Sequence, residues 1–252
     1  MMINGLPAYT NVHGYNLDPT DDVGQVNNAD VSALSRNTRG VADNTRLWPQ
    51  NSTLRISLLS MTAEQEQFTK DNINKWAPHV NLRFEFTHQS DGDIRIKGSD
   101  RHTASYSHVG TEANTDAKPE EHTMRIGFRP GLGAYTAAAI QHEFGHALGL
   151  RHEHQHPERT LDLNEKAIRQ DNPDEEAFRR NYSKLTANTV TSPYDRKSIM
   201  HYPLPQEYLN SGVTTTANNE LSEGDKRFIS TLYPKPKRPA PFHWARFPFT
   251  LG

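Results

Sequence analysis

His142-Glu143-Phe144-Gly145-His146-Ala147-Leu148-Gly149-Leu150-Arg151-His152 is the stretch from which the rest of the 252-residue chain can be read. It closes a segment whose apolar positions, Ala137, Ile140, Phe144 and Leu148, recur at helical spacing and predict a helix from about Ala134 to Leu148. His142 and His146 stand at i and i+4, on one face, so both imidazoles can reach one ion. Glu143 sits beside the first ligand and can address a water on that ion without ligating it. Gly149 then ends the helix, and His152 follows three residues later. A further helical turn would carry the chain away from the metal, whereas a glycine at positive φ lets it reverse and return a third imidazole. Three histidines leave one coordination position open, the arrangement of a catalytic zinc site and not a structural one.

Around this stretch the composition is even. There are 28 basic and 30 acidic residues scattered along the chain, for a net charge of −2, so there is no electrostatic footprint for nucleic acid or an anionic membrane. No apolar run approaches the ~20 residues of a membrane-spanning helix. The chain has no cysteine, so any metal ligand must come from His, carboxylate or Tyr. Met1-Met2-Ile3-Asn4-Gly5-Leu6-Pro7 has neither a basic start nor an apolar segment of Sec type. The expectation is a secreted or exported monomer, its signal removed or its export taking another route, the other reading being a protein that stays inside.

Residues 1–45, rich in Asn, Asp, Gly and Thr, read as a loosely ordered leader, and a folded domain is expected over 46–234. Thr53–Leu59 reads as a strand and Thr62-Ala63-Glu64-Gln65 has capping-box spacing before a helix carrying Phe68, Ile73 and Trp76, ending near Pro78. Leu82–Phe86, Asp93–Lys97 and Thr123–Phe128 alternate as strands, with Tyr106–Gly110 as an edge strand. The order predicts an α+β fold: a twisted mixed sheet with two main helices on it, then an irregular second part. Helices are expected there at Glu175–Tyr182 and from Ser222 to Pro234. The tail, 235–252, alternates Pro with aromatics and reads as an extended strap or a partner-binding segment. His154 and His156 extend the histidine run, but Pro157 and the nearby charges place both in a solvated loop, not among the ligands.

The spacing from His142 to His152 resembles the long zinc motif of the metzincins. That superfamily has a methionine-containing turn beneath the metal, and Ser198-Ile199-Met200-His201-Tyr202 matches it, 48 positions beyond His152. Glu153 directly after the third histidine, the Met-His-Tyr run, Trp48 and Pro193-Tyr194-Asp195 are similar to the astacin family within it. Animal astacins carry disulfides, so the cysteine-free chain resembles a bacterial or fungal type. The resemblance spans roughly Leu47 to Pro234 and implies a two-lobed zinc endopeptidase with one catalytic Zn²⁺, acting on protein or peptide substrates.

It also implies residue roles. Met200 forms a soft floor below the ligands. Tyr202 corresponds to a switch tyrosine that swings off the zinc and stabilises the transition state, the other reading being a plain core tyrosine. Glu153 contacts the start of the mature chain, or is a local ion-pair partner. An extended substrate is expected to pair with an edge strand within Ser105–Phe128. Two rivals differ in kind. A matrixin-like protease shares the chemistry but not Glu153 and Tyr202, and a zinc-stabilised binding module has no need of Glu143.

Overall fold

A computed structural model describes residues 40–236 apart from Asp116, Pro119, Ala187 and Val213. The expected strap over 237–252 and most of the leader lie outside the described residues. The leader's end departs from expectation. Val41–Asp43 forms strand β1, with Val41 and Ala42 buried, paired antiparallel with Thr189–Thr191. Ala42 also bridges Leu150, Asp43 N–H donates to Gly149 O, and Arg151 N–H donates to Val41 O. Ordered structure therefore starts several residues before position 46. The local polar composition could not show it, because β1 is held by partners more than a hundred residues away.

The elements that follow largely match the pattern. Thr53–Leu59 is β2, with Leu54, Ile56 and Leu58 buried on one face. Thr62 and Gln65 form the expected capping box at the start of α1, Ala63–Ile73. A 3-10 turn, Ala77–His79, carries Pro78 and separates α1 from β3, Arg83–Thr87. β4, Ile94–Ser99, and the two-residue β5, Tyr106–Ser107, come next. A single helical turn, α2, Glu112–Thr115, interrupts the expected polar loop before β6, Met124–Gly127. The sheet order is β3-β2-β4-β6-β5, parallel throughout except for β5, which lies antiparallel on the outer edge of β6.

α3, Ala134–Ala147, packs against α1 and against β5 and β6, and its second half is buried on nearly every side. This upper core holds Trp48, Ile56, Trp76, Ile96, Met124, Ile140 and Phe144. The rings of Phe84 and Phe144 pack edge-to-face, with centroids 5.1 Å apart. After a 3-10 turn at Glu153–Gln155 come α4, Glu165–Asp171, which sequence patterning missed, and α5, Glu175–Tyr182. The strand β7, Thr189–Thr191, returns to β1. α6, Glu223–Leu232, starts from a capping box of Ser222 and Asp225. A second, smaller core of Leu163, Ile168, Phe178, Leu204 and Leu209 lies under this half. No described helix is long and apolar enough to cross a membrane.

One buried charge shapes the rim of the sheet. Arg95 on β4 is 6% exposed. Its guanidinium donates to the carbonyls of Glu121 at 2.6 Å, Gly92 at 3.1 Å, Ala113 at 3.2 Å and Lys118 at 3.3 Å. One side chain thus collects the loop carrying α2 onto the sheet just before β6, to which edge strand β5 is paired. Arg95→Met keeps the stem but takes the donor from the carbonyls of Glu121, Gly92 and Ala113, while Lys118 O keeps the N–H of Glu121. It is expected to lower unfolding stability by about 2–4 kcal/mol in a denaturant titration, and to expose Lys118–Glu121 to limited proteolysis.

Candidate metal centre and active site

The site is built on the end of α3. Gly149 has φ +95°, and a Cβ there would meet Leu47 Cδ2 at 2.8 Å. The chain can reverse only because neither cost arises. The reversal is closed by Gly149 N–H to His146 O at 2.7 Å and Leu150 N–H to Gly145 O at 3.0 Å. Aromatic side chains satisfy other carbonyls of the last turns. Trp76 Nε1 donates to Gln141 O at 3.1 Å, Trp48 Nε1 to Ala147 O at 2.7 Å and Tyr233 Oη to Leu148 O at 2.8 Å.

The returned His152 meets the other two rings. The ligand nitrogens of His142, His146 and His152 lie within 4.8 Å of one another, with His146 Nε2 and His152 Nε2 3.0 Å apart. A tetrahedral zinc with Zn–N of ~2.0–2.1 Å sets its nitrogens roughly 3.4 Å apart, so one ion fits this cluster with small side-chain adjustments. Backbone carbonyls orient two of the rings. His142 Nδ1 lies 2.8 Å from Ile199 O, and His146 Nδ1 lies 2.8 Å from Leu150 O. A ring nitrogen facing a carbonyl must carry the proton, which leaves Nε2 as the lone pair for a metal. Burial lowers the His142 pKa to about 4, and burial with the neighbouring rings holds His146 and His152 well below the ordinary histidine range. All three are therefore neutral, the form that binds a cation.

Glu143 is 5% exposed, and its Oε2 has no hydrogen-bond partner among the described residues. Burial pushes its carboxyl up to about 8. Three converging imidazole lone pairs suit one divalent cation, and the buried carboxyl next to His142 is left without a competing partner.

Below the rings runs Ser198–Tyr202. Met200 is buried against Gly145, where a Cβ would approach Met200 Sδ to 2.5 Å and Trp76 Cζ2 to 3.2 Å. Asp225, at the start of α6, fastens this turn. It accepts Ser198 Oγ–H at 2.5 Å and Ile199 N–H at 2.8 Å, while Ile199 O holds His142. Glu153 is fully buried; its Oε1 accepts Asp195 N–H at 2.7 Å and its own N–H donates to Met200 O at 2.9 Å. It ties the turn after the third histidine to the approach and floor of the methionine turn.

Tyr202 is half-buried, with its ring centroid 4.2 Å from that of His152 and 5.7 Å from that of His142. Burial, and then the nearby Glu143, raise its pKa, so the phenol keeps its proton. Its carbonyl is held by His201 Nδ1–H at 2.7 Å and Thr215 Oγ1–H at 3.0 Å, and His201 Nε2 accepts Tyr194 Oη–H at 2.6 Å.

His154 and His156 correct the sequence reading. Both are fully buried, not solvated. His154 Nε2 hydrogen-bonds Asn181 O at 2.6 Å; His156 Nε2 bonds Ser192 O, and its Nδ1 accepts Glu158 N–H at 2.9 Å. The adjacent proline and charges suggested a surface loop, but carbonyls far along the chain receive the Nε2 proton of each ring inside. Sequence reasoning also missed His201 and Asp225. A helix start at Ser222 was expected, yet nothing local tied the Asp225 carboxylate to Ile199.

Residues 40–231 match the peptidase family described as Astacin. The chain belongs to the astacin family. Members of this family are zinc metalloendopeptidases, and the His142, His146 and His152 cluster fits its zinc-binding motif. The match also separates the chain from the matrixin-like alternative. The solved structure of myroilysin is similar at a TM-score of 0.72 and 28% identity, covering 79% of this chain and 100% of that one. Nematocyst expressed protein 6 of Nematostella vectensis is 24% identical over 202 residues, 74% of this chain and 65% of that protein. Protein SpAN of Strongylocentrotus purpuratus is 29% identical over 150 residues, 57% of this chain and 22% of that protein. The chain thus spans less than two thirds of the length of these curated relatives.

Gly145→Ala tests the contact between the astacin zinc helix and its floor. The added methyl must push Met200 or Trp76 aside, at an expected cost of about 1–3 kcal/mol in unfolding stability. Because Ile199 orients His142, zinc affinity measured against a competing chelator should fall with it.

Proposed function

We propose that this chain is a zinc-dependent endopeptidase that cuts internal peptide bonds of protein substrates, with Glu143 as general base and Tyr202 as oxyanion donor. The observation that carries the reading is the convergence of three neutral imidazoles at the end of α3, with Oε2 of Glu143, the residue next to His142, buried and without a hydrogen-bond partner among the described residues. Zinc bound by His142, His146 and His152 supplies Lewis acidity, which makes water nucleophilic near neutral pH and favours the ionised form of Glu143.

The rest is work for the protein's own groups. Ile199 O and Leu150 O keep the Nδ1 protons of His142 and His146, so their lone pairs stay aimed at one point. Glu143 takes a proton from the attacking water and returns it to the leaving amide nitrogen. Its burial leaves this carboxylate few competing partners. Tyr202, held protonated, can donate a hydrogen bond to the oxygen of the tetrahedral intermediate as charge develops there. β5 lies on the sheet edge beside α3, and an extended substrate can add to it as a further strand, bringing its scissile bond over the histidines. A binding module that lost catalysis would have no use for Glu143, so the retained carboxyl favours the enzyme.

Incubation with casein, with and without a chelator, tests the reading: hydrolysis should stop on chelation and return with zinc. Glu143→Gln keeps the shape and loses the base; zinc content should stay near one per chain while kcat falls by ~10²–10⁴-fold or more. Near-wild-type cleavage by this variant removes Glu143 as the base. Tyr202→Phe removes only the hydroxyl, and kcat should fall by ~10²–10³-fold with KM and zinc content nearly unchanged. Steady kcat in that variant makes Tyr202 a packing residue only.

A further inference from the structure

His154 is not one of the metal-binding histidines, yet it is fully buried two residues after the last of them. Its ring lies face to face with Tyr202, with centroids 4.5 Å apart and planes inclined by 19°. The His154 ring also stands 5.2 Å from that of His152. It is held from behind, since Nε2 hydrogen-bonds the carbonyl of Asn181 on α5 at 2.6 Å and the His154 carbonyl accepts Arg159 Nη1–H at 2.9 Å. That bond places the ring proton on Nε2, and the buried Nδ1 has no hydrogen-bond partner among the described residues. A core histidine retained only for its hydrogen bonds would use both nitrogens. Here one nitrogen anchors the ring and the flat face lies against a tyrosine.

Tyr202 itself is fixed at its backbone, while its hydroxyl makes no hydrogen bond among the described residues. Two donors, His201 Nδ1 and Thr215 Oγ1, pin its carbonyl. The freedom left to the side chain is rotation about its own bonds, and the face of His154 limits that rotation on one side.

We propose that His154 is a positioning residue: anchored to Asn181 of α5, its ring is a plate that holds the Tyr202 phenol against the metal-binding histidines. The inference rests on the peptidase reading above and deepens it, by assigning the tyrosine's placement to the flat ring packed on its face, the bond to Asn181 being only what seats that ring. His154 touches neither substrate nor metal and acts only through Tyr202.

His154→Ala and His154→Phe both remove the bond to Asn181, and only the second keeps a flat ring. Their comparison separates the plate from the anchor. Copper(II) binds the same imidazole set; a phenol placed within reach of that Lewis acid releases its proton to solvent and, as the bound phenolate, absorbs visible light, which reports tyrosine placement independently of turnover. In full-length protein, His154→Ala should weaken the visible band of the copper-loaded form. In the zinc-loaded form it should lower kcat for casein about tenfold or more, with KM changed less than about twofold. His154→Phe should keep band and kcat within roughly threefold of wild type, whatever its melting temperature. The inference is overturned if His154→Ala keeps both, if His154→Phe is as impaired as Ala, or if the wild-type copper form shows no such band. Failure of the wild-type protein to cleave casein with zinc is a different result, one that removes the peptidase reading itself.

Discussion

Everything at this centre depends on how α3 stops. A helix leaves its last carbonyls without partners, and here most of those carbonyls are deep inside the protein. Gly149 gives the chain its reversal, and Trp48, Trp76 and Tyr233 bring donors from both ends of the domain to the last two turns of the helix. Each buried carbonyl left unmet would cost about 1–3 kcal/mol. Capping the helix and placing the third imidazole are one event. The residues that seal the helix end are also the ones that close the upper core around it.

The second half of the protein is attached to this event both by apolar side chains, Ile199, Met200, Phe228, Ile229 and Leu232, that enter the upper core and by hydrogen bonds. Its own core is small. What registers it against α3 is a chain of polar contacts running from Ser222 and Asp225 through Ser198 and Ile199 to His142, with Glu153 joining Asp195 and Met200 alongside. Buried polar networks of this type are costly when incomplete and specific when complete. Such a network suits a site whose ligands come from two regions and must agree on one point in space. Met200 fills the gap below with a soft side chain, and Gly145 leaves it room.

The buried histidines follow the same pattern. His154, His156 and His201 each lie within the protein as neutral rings bonded to backbone carbonyls, and burial lowers the pKa of each, to about 3 in His154 and about 4 in His201. None belongs to the metal triad, yet they surround Tyr202 or brace the segments that carry it. The chemistry rests on few residues, while its precision rests on this outer ring of partners.

The sequence alone determined the helix, its two histidines, the turn at Gly149 and the return of His152, because spacing and one glycine are local facts. It also determined the strands of the main sheet, through alternation, the capped start of α1, through Thr62 and Gln65, and the start of α6 at Ser222. Tertiary structure alone decided that Val41–Asp43 is a buried strand, that His154 and His156 are inside, and that Asp225 holds the methionine turn. In each of these cases the partner lies far away in the chain: Thr189–Thr191 for β1, Asn181 and Ser192 for the histidines, Ile199 for Asp225. A polar residue reads as solvated until the group that satisfies it is known, and that group is brought to it only by the fold.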